Sequence, residues 1–138
     1  MKNILILCTG NSCRSQIAHG YFNHFSKDKT RVFSAGLETH GVNINAIETM
    51  KRDGIDISNH TSNNINEYLD INFDYIITVC DQANENCPYI PSIKAVRIHK
   101  NFNDPSKIKN SANEEKDFDS CRDEIKTFTI KFYKKYFD

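Results

Sequence analysis

Cys8 and Arg14 stand in the stretch Cys8-Thr9-Gly10-Asn11-Ser12-Cys13-Arg14-Ser15 with five residues between them. An arginine guanidinium can grip two oxygens of an anion at once. Gly10 and Asn11 are residue types that tolerate positive φ, so the stretch can curl as a loop. A curled loop at a helix N-terminus turns several backbone N–H groups on one spot, and the helix dipole adds positive potential there. The same field is expected to lower the pKa of Cys8 and hold it as a thiolate. A thiolate inside an anion cradle attacks the central atom of the bound oxyanion. Thr9, Gly10, Asn11, Ser12, Cys13, Arg14 and Ser15 are therefore the candidate oxyanion-binding residues, with Cys8 as nucleophile. Most free cysteines are buried core thiols. The Arg14 spacing and the flanking elements argue for chemistry at this one.

Three other residues could take part. Cys80 and Cys87 form a C-x6-C pair in the polar segment Cys80-Asp81-Gln82-Ala83-Asn84-Glu85-Asn86-Cys87-Pro88. This is not the C-x2-C of a redoxin or zinc knuckle, and the spacing alone leaves open whether the two cysteines act together. A zinc on Cys8, Cys13, Cys80 and Cys87 would want short paired spacings and would sit beside Arg14, so no metal is expected. Asp104 precedes Pro105, a pairing that by itself is a turn former.

The elements that must position these residues are legible. Residues 4–7, Ile4-Leu5-Ile6-Leu7, read as a short buried strand ending at Cys8. Residues 16–25 carry Ile17, Tyr21, Phe22 and Phe25 at helical spacing. A second strand is expected at 31–35, closed by Gly36. Gly41 makes a turn, and Asn43 caps a helix through residue 53 that buries Ile47 and Met50 and closes at Gly54. Residues 55–64 read as loop, and 64–69 as one or two helical turns. A third strand is expected at 75–79, running into Cys80, and a fourth at 95–99. Residues 81–91 are polar, and 101–113 read as a loop. A long helix covers 114–136, with Phe118, Cys121, Ile125, Phe128 and Phe132 on one core stripe. Strands alternating with helices imply an α/β fold: a single domain over 1–138, with a four-stranded parallel sheet flanked by helices. Ligands bind such sheets outside the carboxyl ends of the strands, where Cys8 and Cys80 could meet.

Composition narrows the class. The 138 residues suffice for one core. Eighteen basic residues balance eighteen acidic ones, so no nucleic acid or anionic membrane is expected as partner. No signal peptide or membrane span is read. Five cysteines, an odd count, argue for a reducing, cytoplasmic setting.

The loop resembles that of the low-molecular-weight protein tyrosine phosphatases. The whole phrase Cys8-Thr9-Gly10-Asn11-Ser12-Cys13-Arg14-Ser15-Gln16 is similar to the thioredoxin-coupled arsenate reductases built on the same fold. Ser34-Ala35-Gly36, Thr39-His40-Gly41-Val42-Asn43, Asp56-Ile57-Ser58-Asn59-His60-Thr61-Ser62 and Arg122-Asp123-Glu124-Ile125 extend that resemblance over most of the chain. Ser106 follows Pro105 where the phosphatases carry an aromatic residue.

The resemblance implies roles. Cys8, Cys80 and Cys87 stand where such reductases keep a thiol relay, and Asp104 stands where the fold keeps a general acid. Ser15 would donate a hydrogen bond to the Cys8 thiolate. Some relatives bind potassium near the loop through two acidic side chains; His19 and Asn63 stand there in this chain, and no potassium site is expected. The first functional expectation is reduction of arsenate to arsenite, with thioredoxin as electron donor, no bound cofactor and a monomeric enzyme. The second is a phosphatase on phosphotyrosine or a small phosphate ester, using only Cys8, Arg14 and Asp104. The third is a non-enzymatic oxyanion or redox sensor.

Overall fold

Ile4, Leu5, Ile6 and Leu7 are wholly buried in β1 (Lys2–Cys8). Side chains alternate faces along a strand, so four buried residues in succession mean that both faces of the sheet are covered here. The structure, a computed structural model, describes residues 1–108 and 112–137. β1 lies in the interior of a four-stranded sheet, between β2 (Thr30–Gly36) and β3 (Tyr75–Thr78), with β4 (Val96–His99) beyond β3. All three pairings are parallel. The register sets Cys8 beside Gly36 and Leu7 beside Thr78. Cys8 and Cys80 therefore leave the same edge of the sheet.

The helices are α1 (Arg14–Phe25), α2 (Ile44–Arg52), the short α3 (Asp81–Glu85) and α4 (Glu114–Phe137). The expected stripe of α4 is core: Phe118, Cys121, Ile125 and Phe132 are buried and Phe128 packs against them. Phe132 meets Phe22 of α1 at 5.1 Å and Tyr75 of β3 at 5.2 Å between ring centroids. On the opposite face of the sheet Phe33 packs edge-on against Tyr68 and Phe73. Asn43 caps α2 by accepting from the Asn45 N–H, and Gly54 follows the helix with φ of 78°. The turns expected over 64–69 are a 3-10 turn, Ile65–Tyr68, closed by a capping box between Asn64 and Glu67.

Two segments differ from the sequence reading. The polar run after Cys80 opens with α3, because the Cys80 sulfur accepts the Ala83 N–H as an N-cap and the Asn84 N–H closes on the Cys80 carbonyl. The loop expected over 101–113 holds a 3-10 turn at Pro105–Lys107 that Asp104 caps, and its residues 109–111 lie outside the described residues.

Candidate active site

The loop between β1 and α1 is shaped by what its carbonyls bind. The Thr9 carbonyl accepts from the Glu38 N–H, and that of Gly10 from the His40 N–H and the Ser62 hydroxyl. The Asn11 carbonyl accepts from Gln16 Nε2, and that of Ser12 from the Asn43 N–H. Each carbonyl shares a planar trans peptide with the next residue's N–H, which points the opposite way. Four carbonyls tied outward leave the N–H groups of Gly10, Asn11, Ser12 and Cys13 directed inward. α1 adds its own N-terminus, with no side-chain cap and no acidic residue in its first turn. The result is a cavity of about 90 Å³ lined by Cys8, Thr9, Gly10, Ser12, Cys13 and Arg14, with His40, Asp104, Ser106 and Lys107 completing the wall.

Positive φ falls on Asn11 alone of the two expected residues, at 47°. Its side chain stabilises the curl at both ends: Nδ2 donates to Ser15 Oγ at 2.8 Å and Oδ1 accepts from the Asn63 N–H at 2.8 Å. Gly10 is needed for a different reason, since a Cβ there would run into the His40 ring. Among the described residues Ser15 makes no hydrogen bond to Cys8; its hydroxyl oxygen is the acceptor for Asn11 instead.

Arg14 reaches across to the loop after β4. It donates to the Phe102 carbonyl at 2.8 Å and pairs with Asp104 Oδ2 at 3.6 Å. Its Nε–H is buried and has no acceptor among the described residues, a donor that an anion in the cavity would satisfy. Asp104 Oδ1 is taken by the Ser106 N–H and hydroxyl, at 2.9 and 2.6 Å. Oδ2 is left facing the guanidinium.

The fold brings Cys80 to Cys8. Both are buried, at 2% and 4% exposure, and Cys80 Sγ lies 3.3 Å from Thr9 Oγ1. The thiolate expected at Cys8 has this second thiol as its neighbour. Interaction with the Cys80 sulfur, then burial, holds Cys8 above the usual thiol range against the pull of Arg14. The same interaction, helped by the Thr9 hydroxyl and the Ala83 N–H and opposed by burial, lowers the pKa of Cys80. The two thiols therefore titrate as a pair, and loss of one proton opposes loss of the other.

Cys87 is not part of this cluster. It lines a separate cavity of about 230 Å³ with Thr78, Asn84, Arg97 and His99, and burial raises its pKa. All five cysteines are free thiols. Cys13 and Cys121 are buried, and burial raises both.

His19 and Asn63 each have partners within the protein. His19 Nδ1 bonds Ser34 Oγ at 2.8 Å, its ring lies 4.5 Å from that of His60, and burial lowers its pKa to about 4. The Asn63 amide donates to Glu67. Neither position offers an anionic oxygen. Among the described residues no group of three or more His, Cys, Asp or Glu could hold a metal ion, and no helix is long and apolar enough to cross a membrane.

Of the residues that brace the loop, Gln16, Glu38, His40 and Ser62 have no role in the sequence reading, and Asn43 has only that of a helix cap. Gln16, His40 and Ser62 belong to quoted motifs, which carry no geometry, and Glu38 to none.

A parallel sheet whose first strand delivers a Cys-x5-Arg loop onto a helix N-terminus, opposite a loop carrying Asp-Pro, defines a phosphatase-type oxyanion site. The chain belongs to the low molecular weight phosphotyrosine protein phosphatase family, whose profile matches residues 3–136. Within that family it is similar to arsenate reductase 1 of Staphylococcus epidermidis, 46% identical over 125 residues that cover 91% of this chain and 90% of the relative. A solved arsenate reductase in the phosphate binding state has a TM-score of 0.80 at 29% identity, over 98% of each chain. A low molecular weight protein tyrosine phosphatase from T. tengcongensis has a TM-score of 0.79 at 22% identity, over 98% of this chain and 99% of that one. That last likeness carries the fold alone.

Proposed function

We propose that this chain reduces arsenate to arsenite through a Cys8–Cys80–Cys87 relay, with thioredoxin as electron donor. The observation that carries the reading is the second buried sulfur at the oxyanion loop, Cys80 Sγ, 3.3 Å from Thr9 Oγ1. Hydrolysis of a phosphate ester has no use for that thiol.

Arsenate is a tetrahedral oxyanion, and the inward N–H groups with Arg14 hold its oxygens. Cys8 attacks arsenic, and its thiol proton passes to the Asp104 carboxylate. Asp104, through Oδ2, protonates the oxygen that departs as water, and a Cys8–arsenic thioester remains. The Cys80 thiolate then attacks the Cys8 sulfur. The S–As bond breaks, arsenic keeps the electron pair and leaves as arsenite, and a Cys8–Cys80 disulfide forms. Cys87 attacks Cys80, releases Cys8 as thiolate and carries the disulfide outward. The thioredoxin dithiol reduces it and becomes a disulfide itself. Thiol exchange of this kind suits a reducing cytosol.

Hydrolysis of a small phosphate ester is the second reading, favoured by the placement of Asp104 at 3.6 Å from Arg14. Arsenate-dependent NADPH oxidation in the presence of thioredoxin and thioredoxin reductase separates the two. Steady oxidation that stops when thioredoxin is left out is expected. No oxidation, together with ready hydrolysis of 4-nitrophenyl phosphate, would move the assignment to the phosphatase.

A further inference from the structure

We infer that Arg97 of β4 is a positioning residue for the second thiol exchange: it holds a positive charge beside Cys87, so that Cys87 attacks Cys80 as a thiolate. The inference rests on the relay reading. Arg97 and Cys87 line the same cavity of about 230 Å³. Arg97 and His99 stand two positions apart on β4 and so share one face of that strand. The guanidinium is fixed by the segment it serves, since Nη2 donates to the Ile90 carbonyl at 3.2 Å. Ile90 is buried and lies three positions after Cys87.

No other group of the cavity wall supplies that charge. β3 contributes Ile76 and Thr78 and α3 contributes Asn84, none of them charged. His99 is committed elsewhere, with Nδ1 2.7 Å from Thr78 Oγ1 and Nε2 2.7 Å from Asp81 Oδ1. Asp81 is thereby turned to His99. Among the described residues no carboxylate forms an ion pair with Arg97. Burial raises the pKa of the half-buried Cys87, and Arg97 opposes that rise. In the exchange Cys87 gives its proton to water and its sulfur bonds to Cys80 Sγ. The Cys8–Cys80 bond breaks, and Cys8 leaves with the electron pair as a thiolate. Only the thiolate makes such an attack, so a cation beside a half-buried thiol speeds it.

The test uses the reduced full chain, as native protein, Arg97→Met and Arg97→Lys. Alkylation of Cys87 by iodoacetamide across a range of pH, read by peptide mass spectrometry, follows the thiol directly and needs no arsenate. In Arg97→Met the midpoint should move to higher pH by about one unit. Arg97→Lys keeps the charge and should stay near native. A single turnover with arsenate, quenched and mapped for disulfides, follows the exchange itself. At neutral pH Arg97→Met should pass from Cys8–Cys80 to Cys80–Cys87 about threefold more slowly: about tenfold less thiolate, offset in part by the greater intrinsic reactivity of the more basic sulfur. Release of arsenite precedes the exchange and should keep its native rate. At high pH, where Cys87 is ionised in every variant, the deficit should vanish. A merely structural role would slow the exchange alike at every pH. An unmoved alkylation midpoint in Arg97→Met, an equal displacement in Arg97→Lys, or a deficit that persists at high pH overturns the inference. If the native protein forms no Cys8–Cys80 disulfide with arsenate, the relay reading fails separately, and the alkylation midpoints still decide whether Arg97 sets the ionisation of Cys87.

Discussion

Two buried thiols beside one guanidinium do not ionise independently: the first proton lost leaves a charge that opposes loss of the second. That coupling makes Cys8 and Cys80 one functional unit, with Cys87 held apart in its own cavity. Cys8→Ser should lower both arsenate reduction and any aryl phosphate hydrolysis by about a thousandfold or more, because both need the sulfur nucleophile. Appreciable turnover by that variant in either assay would remove the central claim. Cys80→Ser and Cys87→Ser should lose multiple-turnover arsenate reduction and keep hydrolysis. Cys13→Ser and Cys121→Ser should keep both, since these thiols are buried with raised pKa values and stand outside the relay. Arsenate reduction by Cys80→Ser with thioredoxin would show the relay to be misassigned.

At the scale of the element, α3 is the part that has to move. Seven positions along a helix span about 10 Å, and a disulfide needs Cα atoms within about 4.4–6.8 Å. Joining Cys80 to Cys87 therefore requires the segment to loop. The bonds at risk include three of different kinds. The Asn86 N–H binds the Gln82 carbonyl, the Ala83 N–H binds Cys80 Sγ, and Asp81 Oδ1 pairs with His99 Nε2 at 2.7 Å. Of the residues of α3 only Ala83 is buried, so little apolar contact resists the change. Amide exchange of the reduced protein and of a trapped Cys80–Cys87 disulfide form should differ clearly over 81–93, while Ile4 to Leu7 stays protected in both. Equal protection over 81–93 in the two forms would show that no remodelling accompanies the relay.

For the molecule as a whole, stability is tied to pH through the imidazole pair between α1 and the segment at His60. Burial, and then the neighbouring His60, lowers the pKa of His19 to about 4; burial also lowers that of His60. In the unfolded chain a histidine titrates near 6.5. Between those values the unfolded chain binds the proton and the folded protein does not. The stabilisation is complete above about pH 6.5 and is lost as pH falls toward 4, by up to about 3 kcal/mol for His19 alone. Urea unfolding at pH 7.5 and pH 5 should show the native protein losing more stability on acidification than His19→Gln, which has no group to titrate there. The same loss in both proteins would contradict the assignment.

The sequence by itself determined whatever rests on neighbours in the chain. The buried run Ile4 to Leu7, the Asn43 cap, the Gly54 stop and the α4 stripe each follow from spacing and residue type, and all are present. The Cys8 to Arg14 loop was legible because a strand precedes it and a helix follows. Only the tertiary structure decided what depends on through-space partners. It placed His40 on Gly10, paired Asp104 with Arg14, turned the Ser15 oxygen to Asn11, and brought the Cys80 sulfur to Thr9. These outcomes are set by which donor reaches an acceptor first and by how much water each group loses. Some of those competitors lie seventy or more positions apart, Thr9 and Cys80 among them. No local pattern records such a competition, because its terms exist only once the sheet has brought the strand ends together.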